Sequence, residues 1–383
     1  MKTDRKNMMS GRNPGSWIQI SCFVLLFLLA LPIAADGQSR KIISPGDLFP
    51  EFHFSSKISG ADAAYLGISE KLKGRESFTA DDVWGDLLVL EIFNRYCFSC
   101  QQQAPLLNKA YEMVVSDPAL SRKVRFLGVG AGNTSGAVRD FRKEFFVPFP
   151  LVPDPGFEIM DTLGNPGGTP FTLILRRTPE GMIVVKAHFG TINTPEELVV
   201  DIKEALAEDF ERIIAGETPV ELAPWIAKAM KPPLSDVEIM DRVQDSMRRA
   251  GYGSVGLYTV KMKSGEKIYI GEGKRGKVFS RMVSRLPVCD VCYPMHFIIT
   301  FNNRGQVVDF DAVFVTKYWN KRWTDKEVAR MRKKLMGISV LEDRTFDPDV
   351  DAISTATMSS SIIFDSVIRT GKIFQILKTL GHL

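Results

Sequence analysis

The sequence predicts two folded units in series: an α/β unit over residues 42–214 and an α+β unit over residues 251–372, with a helical connector over 215–250 between them. Three observations predict this. At 383 residues the chain is too long for one ordinary core. In its first half, apolar strand-like runs alternate with stretches whose apolar residues recur at helical spacing. In its second half, strand–turn–strand pairs come first and amphipathic helices follow. With 45% hydrophobic and 25% charged residues the composition is that of globular protein. A net charge of +4 without a basic, aromatic-laced stripe gives no support to nucleic-acid binding.

The first 37 residues read as a leader. Lys2, Arg5, Lys6 and Arg12 precede the apolar run "SCFVLLFLLALPIAA", and small residues follow at Ala34, Ala35 and Gly37. That layout is a secretory signal, with an uncleaved signal anchor as the alternative. Cys22 follows no lipobox-like residues. The body of the protein is therefore expected outside the cytosol, in a periplasm-like compartment, soluble or tethered by this segment.

In the first unit, "DLLVLEIF" (86–93) reads as a buried strand, and "QQQAPLLNKAYEMVVS" (101–116) as a helix with Pro105 near its first turns. "VRFLGVG" (124–130) and "TSGAVRDFRKEFF" (134–146) repeat the strand–helix order. "FTLILRR" (171–177) and "MIVVKAHFG" (182–190) form a hairpin. A helix over 194–213 closes the unit, with Thr194 as N-cap and Glu197 completing a capping box.

Outside the leader the four cysteines fall into two CxxC pairs, Cys97/Cys100 and Cys289/Cys292. "RYCFSC" (95–100), at a strand–helix junction, allows three readings: a redox couple, half of a metal site, or a structural staple. Stapling so short a loop removes little entropy from the unfolded chain. A metal site wants further histidine or cysteine ligands, and none lies nearby in sequence. A cysteine at a helix start faces free backbone N–H groups and the positive end of the helix dipole, which favour its thiolate. Cys97 is thus the expected attacking nucleophile. Cys100, one turn in and less exposed, is expected to resolve the mixed disulfide.

The CxxC at the first strand–helix junction, "GGTPF" (167–171) before the hairpin, and the order of elements resemble the thioredoxin fold. More narrowly, residues 45–210 resemble the exported TlpA/ResA-like thiol–disulfide oxidoreductases. The resemblance implies that Thr169-Pro170 is a cis-proline dipeptide lying against the CxxC and offering a backbone edge to a partner polypeptide. It also implies that Glu91 is a buried acid able to move the resolving thiol's proton if burial raises its pKa. The alternative for Glu91 is an outward-facing strand residue. Protein thiols or disulfides would be the partners. Tyr96 stands where tryptophan usually precedes the first cysteine, and Gln103 where many members carry glutamate. Asn94 occupies the position at which a peroxiredoxin would want threonine, which disfavours peroxidase activity.

Prolines 219, 224, 232 and 233 interrupt the connector, whose helix over 236–250 carries Val237, Ile239, Met240 and Val243 on one side. Beyond it, "VGLYTVKMKSGEKIYIGEG" (255–273) reads as a hairpin turning at Ser264-Gly265, and residues 296–320 as a second with "NNRG" at its turn. A helix over 324–335 is capped by Thr324 with Glu327, and a tight polar turn opens the last helix within 350–370.

That turn, "DAISTAT" (351–357), resembles the flavin-attachment motif of FMN-binding domains of the RnfG/NqrC/NosR type, with the likeness covering residues 255–372. The resemblance implies covalent FMN on Thr357, installed by a flavin transferase, with Asp351, Ser354 and Ala356 as other parts of the motif. Thr355 departs from it, since glycine or serine is usual there. Physically, hydroxyl residues at a helix N-terminus suit a phosphate, and they equally suit an ordinary N-cap. Tyr318, Trp319 and Trp323 could stack on the flavin ring or simply pack. In "PVCDVCYPMH" (287–296), Tyr293 excludes a CxxCH haem attachment. Cys289, Cys292 and His296 lack a recognisable fourth zinc ligand. A second redox pair, beside the flavin or exchanging with Cys97/Cys100, and a plain disulfide both remain open. Together the resemblances imply an exported redox protein that passes electrons between thiols and FMN. The rival is a non-catalytic flavin- or metal-binding scaffold of a membrane redox complex.

Overall fold

A computed structural model of the chain describes residues 41–207, 209–253, 256–263 and 265–383. The expected leader and Ser264 lie outside the described residues, which all fall in one compact unit beginning at Asp36. Among them no helix is long and apolar enough to cross a membrane.

The first sheet has β1 (Leu87–Phe93), β2 (Val124–Ala131), β3 (Leu151–Asp154), β4 (Phe171–Thr178) and β5 (Gly181–Phe189) in the order β3-β2-β1-β4-β5. β1 pairs parallel with β2 and antiparallel with β4. α1 (Phe98–Ser116) follows β1, α2 (Ser135–Glu144) follows β2, and α3 (Pro195–Ala205) closes the layer. This mixed sheet, with the CxxC at the end of its central strand, has the expected thioredoxin-like arrangement. Alternate residues of β1 serve opposite faces, as strand geometry requires: Leu88, Leu90 and Ile92 enter one core cluster, while Leu87, Val89 and Phe93 enter another that also holds Cys97, Cys100 and Cys289.

The second half begins with α4 (Asp236–Arg249) and continues as an antiparallel meander: β6 (Gly256–Lys261), β7 (Lys267–Gly273), β8 (Gly276–Arg285), β9 (Met295–Asn302) and β10 (Val307–Phe314). α5 (Asp325–Leu335) and the 23-residue α6 (Thr357–Thr379) complete it. The two sheets share a continuous cluster, with Ile299, Phe301, Phe310 and Phe364 joining Leu90, Ile92 and Leu173. Ile298, on the opposite face of β9, packs with Ile239, Val243 and Met247 of α4.

The structure corrects several expectations. The helix expected over 194–213 breaks after Ala205 and resumes at Phe210–Gly216. Its N-cap is Thr194, but the Glu197 carboxylate accepts from Asn193 instead of closing a capping box. On α4 the buried stripe is Ile239, Val243, Ser246 and Met247, whereas Val237 and Met240 are exposed. The i, i+4, i+7, i+8 spacing of the buried four keeps them on one helix face. α1 begins three residues earlier than expected, which moves Pro105 from its fifth position to its eighth. β3 and β8 are strands where none was expected.

Candidate active site

The turn from β1 into α1 is fixed by buried polar groups. Asn94 donates through Nδ2 to the Ala131 carbonyl (2.7 Å) and accepts from Tyr96 N–H (2.9 Å), while Asn133 accepts from Arg95 N–H (2.8 Å). This makes Cys97 the N-cap of α1, its Sγ accepting from Cys100 N–H at 3.4 Å. Across from it the Thr169–Pro170 peptide is cis. Cys97 Sγ donates to the Thr169 carbonyl (3.3 Å) and Cys100 Sγ to the Thr169 hydroxyl (3.2 Å). Both sulfurs of the pair thus meet on one residue.

The exposure expected of Cys97 is not found. Cys97 is 0% exposed and Cys100 2%. Burial pushes both thiols up, and at Cys97 this opposes the stabilisation expected from the helix start. What covers Cys97 is the second CxxC. Residues 287–293, between β8 and β9, run along the Thr169 backbone. Thr169 N–H and its hydroxyl donate to the Val288 carbonyl (3.0 and 2.6 Å), and Asp290 N–H donates to the Thr169 carbonyl (3.0 Å). Ser99 Oγ, between the first two cysteines, donates to Asp290 Oδ1 (2.7 Å), between the second two. Sγ of Cys97, Sγ of Cys289 and a carboxylate oxygen of Asp290 lie within 4.8 Å of one another. Cys289 is buried and Cys292 half-buried. Hydrogen bonding to the Cys292 sulfur heads the causes that push the Cys289 thiol up.

Glu91 points inward, which removes the outward-facing alternative. It is 5% exposed, and burial pushes its carboxyl up to about 7. Its oxygens accept from Thr172 Oγ1 (2.7 Å) and Gln103 Nε2 (2.8 Å), and Gln103 Oε1 accepts from Ile192 N–H (2.8 Å). Glu91 and Cys100 line the same small cavity. Gln103 therefore holds the acid in place as a neutral partner.

Met358, just past the 351–357 turn, packs on the apolar cluster that contains Cys97 and Cys289. Asp351 is buried and committed to Arg344 (2.7 Å) and Asp347 N–H (3.0 Å). Thr355 adopts φ +63°, in the left-handed region that favours glycine. Ala356 caps α6, with Thr357 its first residue. The hydroxyls of Ser359, Ser360 and Ser361 are spent on backbone carbonyls; those of Ser354 and Thr357 make no hydrogen bond among the described residues. The Trp319 ring lies tilted at 46° to that of Phe98, the residue after Cys97, with 6.1 Å between centroids, whereas Trp323 is buried. His296 does not join Cys289 and Cys292: its ring nitrogens bond Ser284 Oγ and the Ala229 carbonyl, both at 2.8 Å.

Sequence reasoning missed Thr172, Asp290 and Gly168. Thr172 faces Glu91 in the β1–β4 register, two residues past Pro170. Gly168 had a visible signal in the doubled glycine of "GGTPF". A Cβ there would stand 2.5 Å from the Cys289 carbonyl carbon, so only glycine admits the loop.

No protein-family model matches the chain. Thiol-disulfide oxidoreductase ResA of Halalkalibacterium halodurans is 26% identical over 151 residues, spanning 39% of this chain and 74% of that protein. Among solved structures, StoA from Bacillus subtilis aligns at 19% identity over 41% of this chain and 99% of its own, with a TM-score of 0.30. A thioredoxin-family thiol:disulfide interchange protein from Chlorobium tepidum aligns at 14% identity over 44% of this chain and 98% of its own, with a TM-score of 0.31.

Proposed function

We propose that the chain is an exported thiol–disulfide oxidoreductase whose working couple is Cys97/Cys100, with Cys289/Cys292 as a second redox pair. One observation carries this reading: both sulfurs of a CxxC at a helix start meet on Thr169, the residue before a cis proline. In the reducing direction the Cys97 thiolate attacks a partner disulfide, one partner sulfur leaves, and a mixed disulfide forms. Cys100 then attacks Cys97, releasing the second partner sulfur. Glu91, whose carboxyl burial pushes up to about 7 and which lines the same cavity as Cys100, would take the resolving thiol's proton. The test is the rate at which the pre-reduced protein reduces insulin disulfides. Cys97→Ser is expected to fall to the uncatalysed background. A non-catalytic scaffold would show no rate above background in the parent protein either.

The expected flavin is a second reading, favoured by the Thr357 hydroxyl, which makes no hydrogen bond among the described residues, and by the packing of Met358 on the cluster that contains the cysteines. FMN bound there would supply one- and two-electron chemistry. Thr357 Oγ1 would carry its phosphate, the N–H groups of the first turn of α6 would steady the anion, and the Asp351–Arg344 pair would hold the turn. An intact mass after co-expression with a flavin transferase tests this. A gain of FMN less water, lost in Thr357→Ala, supports it, and an unmodified mass removes it.

A further inference from the structure

We infer that the loop 287–293 is the built-in exchange partner of the first pair, seated where a partner polypeptide would lie, with Cys289 poised to form a mixed disulfide with Cys97. This deepens the proposed function and rests on it. The loop is bound as a peptide ligand is bound. Backbone hydrogen bonds from Thr169 bracket Cys289 on both sides, to Val288 before it and from Asp290 after it. Gly168, at φ +143°, has no side chain to obstruct the Cys289–Asp290 peptide. The Ser99–Asp290 hydrogen bond joins the two CxxC segments residue to residue. On the outer side the Asn320 amide fastens the loop, donating to the Val291 carbonyl (2.8 Å) and accepting from Tyr293 N–H (3.0 Å). A plain structural disulfide would need none of this apparatus around Cys97.

Starting from a Cys97–Cys100 disulfide and a Cys289/Cys292 dithiol, the Cys289 proton passes to Asp290, whose Oδ1 is 3.9 Å from Sγ. The Cys289 thiolate attacks Cys97 Sγ. The Cys97–Cys100 bond breaks, and Cys100 leaves as a thiolate that takes a proton from Glu91. The thiolate of Cys292, which is half-exposed and gives its proton to solvent, attacks Cys289. The Cys97–Cys289 bond breaks and Cys97 leaves and is protonated by Asp290, while Glu91 recovers its proton from solvent. Two electrons and two protons pass from one pair to the other, and no further oxidant or reductant enters. The reverse transfer runs through the same intermediate.

The test uses the full mature chain carrying Cys100→Ser and Cys292→Ser, treated with the thiol oxidant diamide and mapped by mass spectrometry without reduction. The expected result is one intramolecular Cys97–Cys289 disulfide, with a chain mass lower by two hydrogens. The Cys97→Ser, Cys289→Ser chain is expected to keep Cys100 and Cys292 as thiols. Alanine in place of serine repeats the test should the buried hydroxyl at position 100 impair folding. Free Cys97 and Cys289 in folded protein after oxidation, or pairing only between chains, would overturn the inference. So would one equivalent of zinc, retained by the unsubstituted chain and shielding these thiols from alkylation. Cys289→Ser, Cys292→Ser protein separates the two levels of argument. If it still reduces insulin while the cross-link fails, the inference alone falls; if it does not, the proposed function falls with it.

Discussion

The two CxxC segments have the same spacing and opposite construction. Cys97 and Cys100 open a 19-residue helix at the end of the central strand of a mixed sheet, and both are buried. Cys289 and Cys292 lie on a loop between two antiparallel strands, with Cys292 N–H bonded to the Cys289 carbonyl (3.1 Å) and one sulfur half-exposed. The first is a fixed receptor, set by helix geometry and by Asn94 and Asn133. The second is an insert whose position depends on hydrogen bonds to another part of the chain. A motif defined by two cysteines thus takes its role from what holds it. Here the insert lies against Cys97, the proposed nucleophile, and burial raises that thiol's pKa, with Cys289 adding to the rise.

Separating the two segments should have the largest effect. Gly168→Ala places a methyl group 2.5 Å from the Cys289 carbonyl carbon, at a backbone φ of +143°. A loss of about 2–4 kcal/mol in urea unfolding is expected, with faster alkylation of Cys97 in the native state. Gly136→Ala, on α2 with no atom within 3.4 Å of the new Cβ, is the control and should be neutral or slightly stabilising. Equal behaviour of the two variants would mean that the loop does not sit on Thr169.

A smaller effect tests the receptor alone. Glu91 is raised from about 4.5 to about 7 by burial, so between those values the folded state holds a proton that the unfolded state has released. Its contribution therefore lowers stability as pH rises through that window, by about 1–3 kcal/mol, and levels off above pH 7. Asp154, also pushed up to about 7 by burial, adds a slope of the same sign. Glu91→Gln should thus flatten the pH dependence of unfolding only in part. A slope unchanged by Glu91→Gln would contradict the buried acid.

The smallest effect lies at the residue both segments share. Thr169→Val removes the hydroxyl between Cys100 Sγ and the Val288 carbonyl and should cost about 1 kcal/mol, with Thr169→Ser close to neutral.

What the sequence made legible follows the range of the forces involved. β1, β2 and α2 were readable because apolar runs and spacing are local signals. Cys97, Cys100, Thr169 and Pro170 were readable because their chemistry goes with short motifs. β3 was not: it has four residues and carries Pro153. β8 was hidden by Lys277, Arg281 and Arg285 among its apolar residues, and the fully buried Arg281 is paired with Glu266 (2.6 Å). The sequence left exchange between the two pairs open but could not place Cys289 against Cys97, because that contact is set by how two sheets, one within residues 87–189 and the other within 256–314, pack together. Only the second glycine of "GGTPF" carried a trace of it.

The most direct test of the central claim is a redox titration of the Cys97/Cys100 pair in Cys289→Ser, Cys292→Ser protein, across a series of thiol–disulfide buffers with rapid alkylation and mass analysis. The account predicts one reversible two-electron transition in which Cys97 and Cys100 gain and lose a disulfide together. Thiols that stay reduced across the whole series, or that oxidise only irreversibly, would contradict it.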